Sequence, residues 1–291
     1  MDEPLLPVKR DVRRAFERAA HTYDAAAVLQ REVCARLLDH LDPVRLDPRR
    51  VLDLGCGTGQ AFDALARRYP AASLVGLDLA TAMLGRARQR GPWWRRLPGS
   101  RRPGLVCADA ECLPLASASV ELVFSNLALQ WCDAARVFAE AARALRTDGL
   151  ILFSTFGPDT LRELRSAFAE ADGGPHVNRF VDMHDLGDAL VRAGFADPVM
   201  EMETITLEYD SVLAVARDLQ AIGAVNSLPG RGRGLPGRER WRRMTQAYER
   251  HRRRGVLPAT WEVVYGHAWK TAPKRLPDGR QVVRFDTGRP A

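Results

Sequence analysis

Two hydrophobic periods alternate along this chain. Short, nearly continuous apolar runs occupy residues 51–54, 73–78, 104–108, 120–125 and 149–155. Runs of that length, bounded by glycine, charge or turn residues, predict strands buried on both faces. Between them the apolar positions fall at helical spacing: Phe62, Leu65, Ala66 and Tyr69; Ala134, Val137, Phe138, Ala141 and Leu145; Leu161, Leu164 and Phe168. Leu29, Val33, Leu37 and Leu41 predict a further helix near the N-terminus. Strands alternating with helices at this pitch predict an α/β fold, a doubly wound and mostly parallel sheet. Residues 172–258 read as a long insertion of helical character. Trp261, Val263, Tyr265, His267 and Trp269 alternate with smaller residues and predict a late strand. The chain thus divides into an N-terminal helical segment (1–44), a core (45–172), a helical insertion with the last sheet strands (173–272) and a loose polar tail (273–291). No internal repeat is visible.

Composition narrows the class. With 291 residues, 46% of them hydrophobic, the chain can bury one domain and an elaboration of it. Five cysteines (34, 56, 107, 112 and 132) are odd in number and contain no Cys-x-x-Cys pair. Neither a disulfide framework nor a metal site is expected. The start, Met-Asp-Glu-Pro-Leu-Leu-Pro, has no apolar core, and no run approaches the ~20 residues a bilayer span needs. A soluble, cytoplasmic protein is expected.

The chemistry begins at the turn after the first strand, Gly55-Cys-Gly-Thr-Gly59. Gly55, Gly57 and Gly59 let a ligand approach the backbone, and the next helix aims its free amides there. Asp78 ends the second strand 19 residues beyond Gly59, where such folds place the acid that accepts ribose hydroxyls. Its competing reading is a helix cap. Asp109 ends the third strand and suits an adenine amino group. The dinucleotide fingerprint wants a third glycine three residues after the second, but Gln60 stands there. Asp53 puts a carboxylate where an ammonium fits and a pyrophosphate is repelled. These differences favour S-adenosylmethionine over NAD. The segment resembles a class I methyltransferase, which implies Leu79 and Ala110, beside the two acids, as further cofactor contacts.

Three segments bear on the substrate. Asn126, in Ser125-Asn-Leu-Ala-Leu-Gln-Trp-Cys132, stands at the end of the fourth strand beside the expected methyl group. The prolines of a nucleobase-gripping Asn-Pro-Pro-Tyr motif are missing, and Leu127, Leu129 and Trp131 read as core. Tyr23, in residues 16–24, is either a lid over the cofactor or a structural tie, and nearby His21 reads as a surface residue. His176-Val-Asn-Arg-Phe180 groups a histidine, an amide and an arginine that can bind a carboxylate, the arginine bidentately. A plain surface turn is the alternative.

These segments, with Asp109-Ala-Glu-Cys-Leu-Pro114, Phe156-Gly-Pro-Asp-Thr-Leu161, residues 217–224 and Pro258-Ala-Thr-Trp-Glu-Val-Val-Tyr265, resemble the malonyl-(acyl-carrier protein) O-methyltransferases of biotin synthesis. The resemblance spans about residues 9–270 and departs at the Trp- and Arg-rich stretch 92–103. It implies a seven-stranded Rossmann-like sheet and methylation of the free carboxylate of a malonyl thioester. It also implies catalytic roles for Tyr23, His176 and Arg179. Arginine-modifying factors of respiratory-complex assembly share Asp159-Thr-Leu-Arg-Glu-Leu164 and Pro258-Ala-Thr-Trp261 and are the alternative. Of 43 basic residues, Arg231, Arg233, Arg238, Arg240, Arg242, Arg243, Arg250, Arg252, Arg253 and Arg254 crowd one stretch. An acidic carrier protein docking there is expected. Nucleic acid held with Trp93 and Trp94, or a merely solvated surface, compete with that reading.

Overall fold

The computed structural model describes residues 6–90, 102–172, 174, 176–229 and 237–272. Trp93, Trp94, Arg231, Arg233 and the expected tail 273–291 lie outside the described residues. The predicted strands form as β1 (Arg50–Leu54), β2 (Ser73–Asp78), β3 (Gly104–Cys107), β4 (Val120–Asn126) and β5 (Leu145–Phe156). The late strand is β7 (Leu257–Lys270). A seventh, β6 (Phe195–Tyr209), arises inside the stretch read as an insertion. The sheet order is β3-β2-β1-β4-β5-β7-β6, and β7 runs antiparallel to both neighbours.

The helical insertion expected with the last sheet strands contains β6, a strand whose residues gave no period of their own, and its composition explains why. Its exposure alternates along nearly its whole length, and its exposed positions include Glu201, Thr204, Thr206 and Glu208 rather than an apolar run. Half-buried edge strands carry charge, which also blocks further strand pairing. Glu203 accepts hydrogen bonds from Tyr265 of β7 and from Arg36.

Helices cover both faces. In chain order they are α1 (Lys9–Ala19), α2 (Tyr23–Ala26), α3 (Val28–Asp39), α4 (Phe62–Arg68), α5 (Thr81–Gln89), α6 (Ala134–Ala144), α7 (Arg162–Ala171), α8 (Met183–Arg192), α9 (Val212–Ala221) and α10 (Arg238–Glu249). Period-two geometry divides β5 between two cores. Leu150 and Leu152 join Val33, Leu37 and Tyr248 on one face. Ile151 and Phe153 join Val137, Phe138 and Leu190 on the other. The predicted stripes are therefore the buried faces of α3, α4, α6 and α7. The His176–Phe180 stretch leads into α8, where Asp182 caps the first turn by accepting from His184 N at 2.8 Å.

This topology fixes where a ligand goes. Strand order reverses between β1 and β4, and their carboxyl ends open a crevice at that switch point.

Candidate active site

The glycine turn is moored to β2 before anything binds it. Gly55 N and Cys56 N donate to Leu77 O at 2.8 and 2.9 Å. Gly57 N donates to Asp78 Oδ2 at 2.9 Å, and Ala80 N to Asp78 Oδ1 at 2.8 Å. All three glycines of the turn have positive φ (+74°, +53° and +77°), a region side chains resist. Their surroundings differ. A Cβ on Gly55 would meet Ala128 Cβ at 2.3 Å, and one on Gly59 would meet the Phe62 ring at 2.6 Å. A Cβ on Gly57 would meet nothing within 4 Å.

A cavity of about 640 Å³ opens over this turn. The structure brings Tyr23, Gly55, Gly57, Asp78, Leu79, Asp109, Ala110 and Asn126 together in its wall. Asp53 lines a smaller recess of about 310 Å³ that shares Tyr23, Gly55, Gly57 and Asn126 with the cavity. Gly59 lines neither; its lack of a side chain serves the close approach of Phe62.

Burial strains the acids. Asp53 is 3% exposed, and its Oδ2 has no partner among the described residues. Burial first, then repulsion from Asp78, pushes its pKa up to about 8. Asp78 is pushed up to about 6 by burial, which outweighs the opposing amides of Ala80 and Gly57. Tyr23 is held protonated, raised by burial and then by the charges of Asp78 and Asp24. Asn126 is locked: its amide donates to Gln30 O at 3.0 Å and accepts from Ser154 Oγ at 2.9 Å.

The roof is α1, which sequence periodicity did not single out. Lys9, Val12 and Phe16 line the cavity from it. Lys9 Nζ pairs with Asp109 at 2.9 Å and Glu111 at 2.8 Å, and donates to Cys132 Sγ at 3.2 Å. The ligand atoms of Asp109, Glu111 and Cys132 cluster closely enough to suit a metal, yet the ammonium of Lys9 already serves as their cation. Burial alone would depress that amine, but Cys132, Glu111 and Asp109 outweigh it and raise it. Further along, Glu17 accepts from Thr81 N and Ala82 N at 2.7 and 2.9 Å, which pins α1 to the start of α5. The signal for Lys9 was faint: a lone lysine in an arginine-rich N-terminus.

A second cavity of about 470 Å³ lies behind Trp131, which lines both. His176 lines this one, with Nε2 on Asp172 at 2.9 Å and its ring stacked on Phe168 at 4.0 Å. Asp172 also holds Arg240 at 3.0 Å, so His176 is braced rather than free. Arg179 is exposed and lines neither cavity, although its neighbours Val177, Asn178 and Phe180 line the second.

The residues present suit a cationic nucleoside. Asp53 offers an orphaned buried carboxylate for an ammonium, Gly57 leaves open space above the backbone, and Asp78 and Asp109 offer oxygens to hydroxyl and amino groups. A reversed β7 within this strand order, and an acid-flanked glycine turn at the switch point, define an S-adenosylmethionine-dependent methyltransferase of class I. Residues 52–153 match the family described as methyltransferase domain. The chain belongs to the malonyl-(acyl-carrier protein) O-methyltransferase family. The member from Gallionella capsiferriformans is 54% identical over 95% of this chain and 96% of its own. The one from Laribacter hongkongensis is 56% identical over the whole of both chains. Among solved structures, the YcgJ protein of Bacillus subtilis superposes with a TM-score of 0.58 at 14% identity, covering 83% of this chain and 99% of its own. A putative methyltransferase from Bacillus halodurans gives 0.57 at 20% identity, covering 82% and 99%. At such identities the likeness is one of fold.

Among the described residues, no helix is long and apolar enough to cross a membrane.

Proposed function

We propose that this enzyme transfers a methyl group from S-adenosylmethionine to the free carboxylate of a malonyl thioester on acyl-carrier protein. The product is the methyl ester that primes pimeloyl synthesis for biotin. The observation that carries this reading is full-length identity above 50% to relatives bearing that activity in their names. The donor supplies an electrophilic methyl group on a sulfonium. Asp53 holds its ammonium, Asp78 its ribose and Asp109 its adenine, with Leu79 and Ala110 packing alongside.

The acceptor makes few demands. A malonyl carboxylate is ionised at pH 7, since model carboxyl groups titrate near ~4. No base has to remove a proton. The chain's residues instead align the acceptor and exclude water. Phe16 meets Trp131 edge-on at 5.3 Å and Tyr23 edge-on at 6.4 Å, an aromatic cluster on the first cavity whose Trp131 also lines the second. Stripping water from an anion that meets a cation favours the loss of both charges. Asn126, locked by Gln30 and Ser154, keeps the floor of the site rigid.

Arg179 has no ion pair among the described residues and sits on the segment that walls the second cavity. We assign it to receiving the entering acid, with His176 bracing that segment. Arg179→Ala is expected to raise KM for malonyl-carrier protein roughly fivefold with little change in kcat, as suits an exposed cation. Unchanged KM in steady-state assays sinks the assignment.

Carrier-protein docking on the arginine-rich stretch narrows to a few residues. Arg240 pairs with Asp172, Arg242 and Arg243 with Glu239, Arg250 with Glu170, and Arg252 with Glu249. Among the described residues of the stretch, Arg238, Arg253 and Arg254 form no ion pair and are cations open to an acidic partner. The decisive experiment is mass spectrometry of malonyl-carrier protein after incubation with enzyme and S-adenosylmethionine. One added methyl group, removed by ester hydrolysis, is expected; transfer to a protein arginine instead overturns the reading.

A further inference from the structure

Two residues that line the cavity behind Trp131 each carry a buried polar atom that the fold leaves unanswered. Trp261, on β7, is 2% exposed, and its Nε1 has no partner among the described residues. Asn178 is 7% exposed, and its Oδ1 has none either. Both residues line this one cavity. Most of the remaining wall is apolar, including Phe156, Leu161, Leu164 and Leu219. Buried polar groups without partners are uncommon because each forfeits its bonds to water. Two in one cavity, a donor and an acceptor, describe a ligand that offers the converse pair.

A secondary amide is that ligand: its C=O accepts and its N–H donates. A carboxylate offers acceptors alone and would set oxygen against Asn178 Oδ1. The arm of a carrier-protein thioester carries such an amide two methylenes beyond its sulfur. Trp131 lines both cavities, which makes the second the one adjoining the site of transfer. We infer that this cavity is the seat of the thioester's arm, where Trp261 Nε1–H donates to the amide carbonyl and Asn178 Oδ1 accepts from the amide N–H. This rests on the proposed function and adds how the enzyme would tell a carrier thioester from a bare malonate ester. His176, held between Phe168 and Asp172, keeps the Asn178 segment in place.

The test compares two small malonyl thioesters. One is the N-acetylcysteamine thioester, which keeps the amide; the other is the n-pentyl thioester, its amide-free isostere. Wild-type enzyme is expected to prefer the amide by about 10-fold or more in kcat/KM. Apolar burial alone would favour the pentyl probe, so the sign of the preference is itself informative. Trp261→Phe and Asn178→Leu are expected to bring the ratio near one while S-adenosylmethionine still binds by calorimetry. Equal rates on both probes in wild type, or a ratio that survives both substitutions, overturn the inference. So does activity on malonyl-carrier protein with none on either probe. Should Trp261→Phe fail to fold, the wild-type ratio and Asn178→Leu decide. Failure to methylate any malonyl thioester, carrier-bound included, would instead sink the proposed function.

Discussion

Asp53→Asn is expected to weaken S-adenosylmethionine binding about 100-fold, the scale of a charge-assisted bond lost in a buried site. The same substitution is expected to raise the melting temperature at pH 8. Both follow from a buried carboxylate whose Oδ2 has no partner among the described residues. Burial pushes its pKa in the folded protein up to about 8, far above the ordinary carboxylate value of 3.8. The native state therefore holds a proton that the unfolded chain has released between roughly pH 4 and 8. Stability from this group is full below that window and falls as pH rises through it. Asparagine cannot ionise, so the variant loses that slope and is the more stable protein at pH 8. Binding has the opposite sign. An ammonium beside Asp53 favours the ionised form, so uptake of the donor releases a proton and tightens as pH climbs from 6 to 8. Titration calorimetry in two buffers of different ionisation enthalpy reads that proton directly. A wild-type affinity indifferent to pH across this range would remove Asp53 from the ammonium site. Asp78, pushed up to about 6, adds a second loss of affinity at lower pH.

Gly57→Ala and Gly55→Ala are expected to fail in different ways. The Cβ of Gly57→Ala finds no atom within 4 Å, and the position lines both the cavity and the Asp53 recess. Its φ of +53° costs a side chain about 1–2 kcal/mol, so the variant folds. The new methyl stands where the ligand's atoms belong, and binding is expected to drop about 10–100-fold. At Gly55 the Cβ meets Ala128 Cβ at 2.3 Å, and φ is +74°. Strain and overpacking there add to roughly 2–4 kcal/mol, so Gly55→Ala is expected to lower the melting temperature strongly. Paired thermal melts and binding isotherms separate the two. Equal loss of stability in both variants would mean that Gly57 serves the turn alone.

The wall of the first cavity was legible because its signals are local. Asp53, Gly55 and Gly57 lie within five residues of one strand end and its turn, and Asp78 and Asp109 each close an apolar run, so their convergence needs only parallel strands side by side. Gly59 was legible as a glycine but not as to its use; Phe62 decides that. The wall of the second cavity was legible only as composition. Residues 176–180 announced a polar cluster, yet His176 is engaged by Asp172, Arg179 faces outward, and Asn178 is the member buried in the cavity. Likewise ten arginines read as one basic face, until acids from α7, the α7–α8 connection and α10 itself paired with half of them.

By itself the sequence determined the fold class and the kind of donor. Burial period and backbone freedom are properties of neighbouring residues, and they survive without knowledge of the partner. Tertiary structure alone decided that α1 roofs the cavity through Lys9, that β6 forms one edge of the sheet, and that Trp261 and Asn178 line one cavity behind Trp131. Those contacts join residues up to 123 positions apart, as Lys9 and Cys132 are. No local period carries such pairings; they exist only once the sheet has brought its loops to one edge.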